Sequence, residues 1–576
     1  MNFSISSAAV YLAAIAIQSG MALGADYPAP PDQWEEYNSA TRKTIIELQP
    51  YRQEQSADLA NGDTVALINL NPNTNATFVL WVGNEAYHID NPEPLFQRLA
   101  LEGSASPDLR IAGPEGETVC RLRTAGMSAL SDAKKTGLPF APICEGKLFL
   151  RNAVSGSRTS IERVTDFLRD HVWNGEEIVR LVRDSLYSDE YATFSELSDG
   201  EDAACIETGP CPAEIDERFE ESAISPIGFG IAFANRDQKD MRPGAWYAAA
   251  GFEGVFVSAI QPRTISQNIL TSPGPVNALD SIEGKAVDYF VAFDLERYGL
   301  GFALGTDHPR LDWSPRPQQS ARIQGLPGPD GISDARPLVR TGMVSPDYAA
   351  HTIATFTAGF KRAHGAFKYG DYATIDTGKH YGFIEKGVIY SKLKSGLSTL
   401  YVLKDGSVEM KTWTAEDDRL LPDIMFARQN GVPLVETDPS TGKPVPGERV
   451  NQWGPGNWSG SANAELRTLR AGACLQNWLG RRFLVYGYFS TATPSAMART
   501  FQAYNCSHAM LLDMNALEHT YLALYPSAEG AMQVEHLISG MSELDKSASG
   551  GTVIPRFLGF PDNRDLFFVY ERRKAQ

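Results

Sequence analysis

The stretch LLDMNALEHTY, Leu511 to Tyr521, ends an apolar run at an aspartate and then presents Asn515, Glu518, His519 and Thr520 in quick succession. Asp513 offers a nucleophile, a general base or an electrostatic stabiliser, Asn515 an amide to orient a hydroxyl, and His519 a ring that titrates near neutral pH. Each has a structural alternative: a carboxylate capping a turn, plain turn chemistry, or a packed imidazole. Two arginines stand out for a different reason. Arg470 is flanked by apolar positions, where a guanidinium requires an anionic partner, either a ligand phosphate or a structural carboxylate, and Arg428 and Asn430 in ARQN put a cationic and an amide group just before an apolar turn. Lys361, His364 and Lys368 add positive charge and a titratable ring in a glycine-rich loop, for which a solvated loop is the alternative.

The elements that must position these groups are legible nearby. RRFLVYGYFS reads as a strand, TPSAMARTFQAYN as a helix with Thr493 as N-cap and Pro494 at its first position, and HAMLLDM as the next strand. This strand-helix-strand unit delivers Asp513 and Asn515 to a strand's C-terminal end, where open α/β sheets commonly place ligands. KAVDYFVAFDL, HTIATFTAGF, GFIEKGVIYS and STLYVLKDGSVEMKTW read as short β-runs, the last two with Lys-Gly and Asp-Gly hairpin turns. Earlier in the chain, TVALINLNP and ATFVLWVGNEAYHI read as strands, and TSIERVTDFLRDHVWNGEEIVRLVRDSLY carries apolar residues at helical spacing. No chemistry is apparent there; His88 and His171 are lone histidines.

With 576 residues, 43% hydrophobic and 21% charged, the chain is expected to form several folded domains. The expected boundaries are a signal peptide at 1–24, an accessory α+β domain at 25–187, an acidic linker at 188–222 and a C-terminal domain at 223–576. The leader reading rests on the apolar run from Ala8 to Ile17 and on Ala22 and Gly24 at cleavage-site spacing, although no Lys or Arg precedes Arg42. After its removal no membrane span is expected, because no later apolar segment is long enough. A net charge of -18 argues against a nucleic-acid partner. Six cysteines form three neighbouring pairs, Cys120 with Cys144, Cys205 with Cys211 and Cys474 with Cys506, the even count of an exported, disulfide-bonded chain.

The order of blocks carries a resemblance. FTAGFKRAHGAFKYGDY (356–372), GFIEKGVIYS, STLYVLKDGSVEMKTW, ARQNGVPLVE (427–436), NWSGSANAELRTLRAGACL (457–475) and the LLDMN strand together are similar to the phosphodiester glycosidase family, over roughly Ala286 to Tyr570. The resemblance implies an α+β fold with a mixed-sheet glycosidase-like C-terminal domain and removal of a sugar from a phosphodiester, and it points to a bacterial exported subgroup with an Asp-Met-Asn motif. FTAGF stands where the family carries an Asn-Gly-Gly-Phe-like strand end, so Thr357 and Gly359 would line the pocket. LRAGAC would place Arg470 as a phosphate clamp, and LLDMN keeps Asp513 where many members have Leu-Asp-Gly-Gly-Gly-Ser.

The resulting expectation is an exported hydrolase, periplasmic or extracellular, cleaving a sugar-phosphodiester or related glycosidic linkage in envelope or extracellular glycan. Asp513, Asn515 and His519 would be catalytic, and Arg470, Thr357, Gly359, Lys361, His364, Arg428 and Asn430 would hold the sugar phosphate. The alternative is a non-catalytic glycan-binding or envelope-assembly protein that keeps the fold; the missing glycines after Asp513 favour it. No cofactor is expected. A divalent metal is the weaker option, because Asp513, His519 and His536 show no recognised ligand spacing, and there is no GxSxG elbow, P-loop or GxGxxG.

Overall fold

A computed structural model describes residues 27–572 except 60–61, 103–107, 122, 125–126, 161, 164–193, 197–208, 227, 236–237, 309–310, 314–317, 361–381, 453–465 and 527–532. The elements nearest the candidate site are β1 (Asp288–Asp294), β2 (Thr352–Thr357), β3 (Ile424–Gln429), β4 (Thr468–Trp478), β5 (Arg481–Ala492), α1 (Pro494–Ala503), β6 (Cys506–Met514) and β7 (Leu566–Glu571). The fold is α+β. All ladders between the described strands are antiparallel.

The central sheet has eight strands, with β1, β5, β4 and β6 side by side in its middle. β5 and β6 therefore run in the same direction on either side of β4, and α1 is the crossover between them. Thr493 caps the helix by accepting from the Ala496 amide at 3.1 Å, and Pro494 occupies its first turn. Phe501 packs edge-on against Phe290 and Phe489. Burying such a ring contributes about 1.5–3 kcal/mol. The helix comes so close to β4 that a Cβ on Gly472 would lie 2.8 Å from the Phe501 ring. On the sheet's other side, Phe356 of β2 meets Tyr486 of β5 with ring centroids 5.3 Å apart. There β2 and β7 pair in a five-stranded sheet. A second five-stranded sheet contains β3.

The Cys474–Cys506 disulfide joins β4 to the start of β6, and Cys120–Cys144 staples the N-terminal half. Cys205 lies outside the described residues. Cys211 is a buried thiol whose Sγ donates to the Pro212 carbonyl at 3.4 Å.

The N-terminal half builds a six-stranded sheet over its own small core, which contains Val65, Leu67, Leu80, Ile89 and Leu150. Tyr37, Leu48, Ile68 and Val79 belong instead to the large core of the C-terminal half. A buried charge network joins the two: Arg151 contacts both Asp90 oxygens at 3.0 and 2.9 Å and Glu385 at 2.7 Å, while Lys386 reaches Asp90 and Asp347. Part of the acidic stretch is ordered against this body, as Phe194–Glu196 pairs with Ser222–Ile224 and the Glu214 amide donates to the Ala503 carbonyl at 2.9 Å. His88 is buried beside the network, and His171 lies outside the described residues.

These buried rings make stability depend on pH. Burial, followed by the Arg151 charge, pushes His88 down to about 4, and burial takes His508 down to about 3. The unfolded chain therefore gains protons first as pH drops below the ordinary imidazole value of about 6.5. Stability present at neutral pH is lost progressively between that value and the folded ones, by up to about 1.4 kcal/mol per pH unit for each ring. Asp288, raised well above the carboxylate range by burial, works in the opposite direction. Denaturant midpoints from pH 7 down to about 4.5 should accordingly fall less steeply in His508→Gln than in the parent chain; an equal slope would refute this account of His508.

Candidate functional site at the end of the central sheet

The site begins with an irregularity in β6. Gly472 pairs with Leu511 but Arg470 pairs with Met514, so three steps along β6 match two along β4. A bulge of this kind bends the strand and re-aims its side chains. Asn515 then takes φ +83°, a left-handed conformation that asparagine tolerates better than most residues. It is held by its amide on the Leu469 carbonyl at 2.8 Å and by its side-chain oxygen accepting from Thr468 Oγ1 at 3.0 Å. The turn therefore brings His519 back toward Asp513.

Asp513 is 5% exposed and Arg564 1% exposed. The Arg564 guanidinium divides its donors: Nη1 contacts the Asp513 carboxylate, and Nη2 contacts Glu162 Oε1 at 3.0 Å and His519 Nε2 at 2.6 Å. A guanidinium has only donors, so His519 Nε2 must accept. His519 Nδ1 then carries the proton and donates to the Met514 carbonyl at 2.5 Å. The ring is thus a neutral imidazole whose lone pair is already engaged. Burial opposes the Arg564 charge, but Asp513, Glu162, Glu518 and Asp562 raise its proton affinity above that of an ordinary arginine. The second Asp513 oxygen accepts from the Met514 amide at 2.9 Å. Glu518 Oε1 accepts from Thr159 Oγ1 at 3.2 Å and lies 3.9 Å from His519 Nε2.

The other blocks close around this centre. Thr357 Oγ1 donates to the Glu518 carbonyl at 3.3 Å, and its amide donates to the Tyr521 carbonyl. Gly359 follows at a point where a Cβ would sit 2.8 Å from the Asn430 side chain and 3.0 Å from Arg428 Nη2. Asn430 is the tie: its Oδ1 accepts from the Phe360 amide at 3.2 Å while its Nδ2 donates to the Leu511 and Leu512 carbonyls at 2.8 and 3.2 Å. Arg428, at the end of β3, donates from Nε to Asp565 at 3.0 Å and from Nη2 to the Phe360 carbonyl at 2.8 Å. Its anion is thus a structural carboxylate, which also meets His308 Nδ1 at 2.5 Å.

Arg470 has neutral acceptors in the Ala492 and Leu466 carbonyls, at 2.8 and 3.0 Å, and meets Met514 Sδ at 3.4 Å. It stands beside Met514 while Asp513 turns to Arg564, so the two share a sheet end and turn to different partners. Lys361, His364 and Lys368 lie outside the described residues. His536 is elsewhere, paired with Asp545 at 3.0 Å. Among the described residues, no three His, Cys, Asp or Glu side chains are grouped to hold a metal.

Sequence reading missed the run Asp562–Asn563–Arg564–Asp565, which supplies the centre of the network. Asp562 takes Arg556 at 2.8 Å, Asn563 reaches Glu162 at 3.0 Å, Arg564 takes Asp513, and Asp565 takes Arg428. The available signal was four consecutive polar residues between the apolar blocks FLGF and LFFVY.

No family model and no curated protein matches the chain. Among solved structures it is similar to the catalytic domain of zebrafish N-acetylglucosamine-1-phosphodiester alpha-N-acetylglucosaminidase, auto-inhibited by its pro-peptide, with 10% identity and a TM-score of 0.29 over 67% of this chain and 97% of that one. It is also similar to a hypothetical protein from Synechocystis, with 10% identity and a TM-score of 0.27 over 90% of this chain and 99% of that one. Likenesses this distant transfer no residue roles.

Proposed function

We propose that the chain is an exported hydrolase that cleaves a sugar-phosphodiester or related glycosidic linkage in envelope or extracellular glycan. The observation that carries this reading is the meeting of Asp513 and His519 with Arg564 at one sheet end, with Glu518 beside His519, bordered by Thr357, Gly359 and the Arg428–Asn430 turn. The motif order that resembles phosphodiester glycosidases selects the substrate class. Breaking a glycosidic bond to phosphate develops positive charge at the sugar's anomeric carbon, which a fixed carboxylate stabilises. Asp513 has that role, Arg470 takes the phosphate by giving up its Ala492 and Leu466 carbonyls, and His519 handles a proton once its contact with Arg564 opens. The two disulfides support export.

One observation favours a second reading, a glycan-binding protein without turnover: Asp513 is already neutralised by a buried guanidinium. Incubating the full chain with a panel of aryl sugar-phosphodiesters, with calorimetry on the matching sugar phosphates, separates the two. Release of the aryl phosphate supports the hydrolase; binding without release across the panel selects the second reading.

A further inference from the structure

We propose that Glu162 is a second catalytic carboxyl of this centre, the base that activates water, which makes the segment leaving the N-terminal sheet part of the active site. The inference rests on the hydrolase reading above. After Arg151 the chain runs along the approach to β7: the Ser157 amide donates to the Pro561 carbonyl at 2.9 Å, Arg158 pairs with Asp307 at 2.6 Å, and Thr159 takes Glu518. That path sets Glu162 Oε1 at 3.0 Å from both Arg564 Nη2 and Asn563 Nδ2. Glu162 thereby reaches a reaction centre 402 residues away in sequence.

The charge arrangement suits the reaction. One planar fork carries Asp513 on one nitrogen and Glu162 on the other, which keeps the two carboxyl groups apart. One guanidinium against two carboxylates leaves a negative surplus, the sign that stabilises an oxocarbenium-like sugar. A phosphate leaves as a weakly basic anion and requires little proton donation. The demand therefore falls on the water side, where a second carboxylate is needed. In the step, the bond from the anomeric carbon to the phosphate oxygen breaks with its electron pair on that oxygen. Water bonds to the anomeric carbon, and its proton passes to Glu162 and then to solvent, so one water is consumed per bond cleaved. Asp513 faces the developing cation throughout.

The test uses the full chain with an aryl sugar-phosphodiester. Glu162→Gln, which keeps an acceptor for Asn563, should lower kcat by about 10²–10⁴-fold with KM nearly unchanged. Glu162→Ala should regain turnover in sodium azide and release the glycosyl azide, detected by mass, because a small anion replaces the activated water. Unchanged kcat in Glu162→Gln, lost turnover in Glu162→Ala without any glycosyl azide, or failure of both variants to fold would each overturn the proposal and leave Glu162 as a structural partner of Arg564. If Asp513→Asn is inactive while Glu162→Gln is fully active, this inference alone falls. If the parent chain and Asp513→Asn are equally inactive, the hydrolase reading falls and this one with it.

Discussion

Replacing Arg564 by methionine should lower stability at neutral pH by about 3–5 kcal/mol, the cost of stranding a buried charge. The side chain is 1% exposed and compensates both Asp513 and Glu162 while donating to His519 Nε2. Without it, two buried carboxylates remain with no compensating charge, and they adapt by binding protons. Their folded proton affinities then rise above the unfolded values, so the variant regains stability as pH falls through the raised values. The deficit relative to the parent chain should therefore shrink between pH 7 and about 5. Paired denaturant melts at the two pH values check this. A deficit under about 1 kcal/mol, or one independent of pH, would show that Arg564 is not the compensating charge.

Asp513→Asn should behave in the opposite way, with the fold largely kept and turnover of an aryl sugar-phosphodiester reduced at least about a hundredfold. An asparagine oxygen still accepts from Arg564, at the cost of the separate Met514 amide contact that the second carboxylate oxygen made, and Glu162 still balances the guanidinium. The fixed negative charge opposite the developing cation is lost. The readout is kcat alongside the melting temperature. Wild-type turnover in the variant would remove Asp513 from the chemistry.

How far these positions can be read from sequence depends on whether the determining contact is local. The helix capped by Thr493 and opened by Pro494, its flanking strands and the hairpins around Lys386–Gly387 and Asp405–Gly406 follow from neighbouring residues, and the structure has them at those positions. The convergence of FTAGF, ARQN and LDMN was legible only as motif order; its physical cause, Asn430 bridging the Phe360 amide to the Leu511 and Leu512 carbonyls, is tertiary. Arg428 was legible as a cationic group beside Asn430, but that its anion is Asp565, 137 residues on, was not. Glu162 was hidden in an ordinary amphipathic helix pattern, since nothing local marks a carboxylate that pairs with Arg564.

The four polar residues before β7 each engage a different segment: Arg556, Glu162, Asp513 and Arg428 in turn. Such a stretch has a fixed length. Deleting or inserting one residue between Pro561 and Leu566 would slide the side chains into their neighbours' berths, setting Asp565 against Asp513 in one direction or Arg564 against Arg428 in the other. Changes of chain length among homologues should therefore avoid this stretch and gather at places such as the exposed turn of residues 438–443.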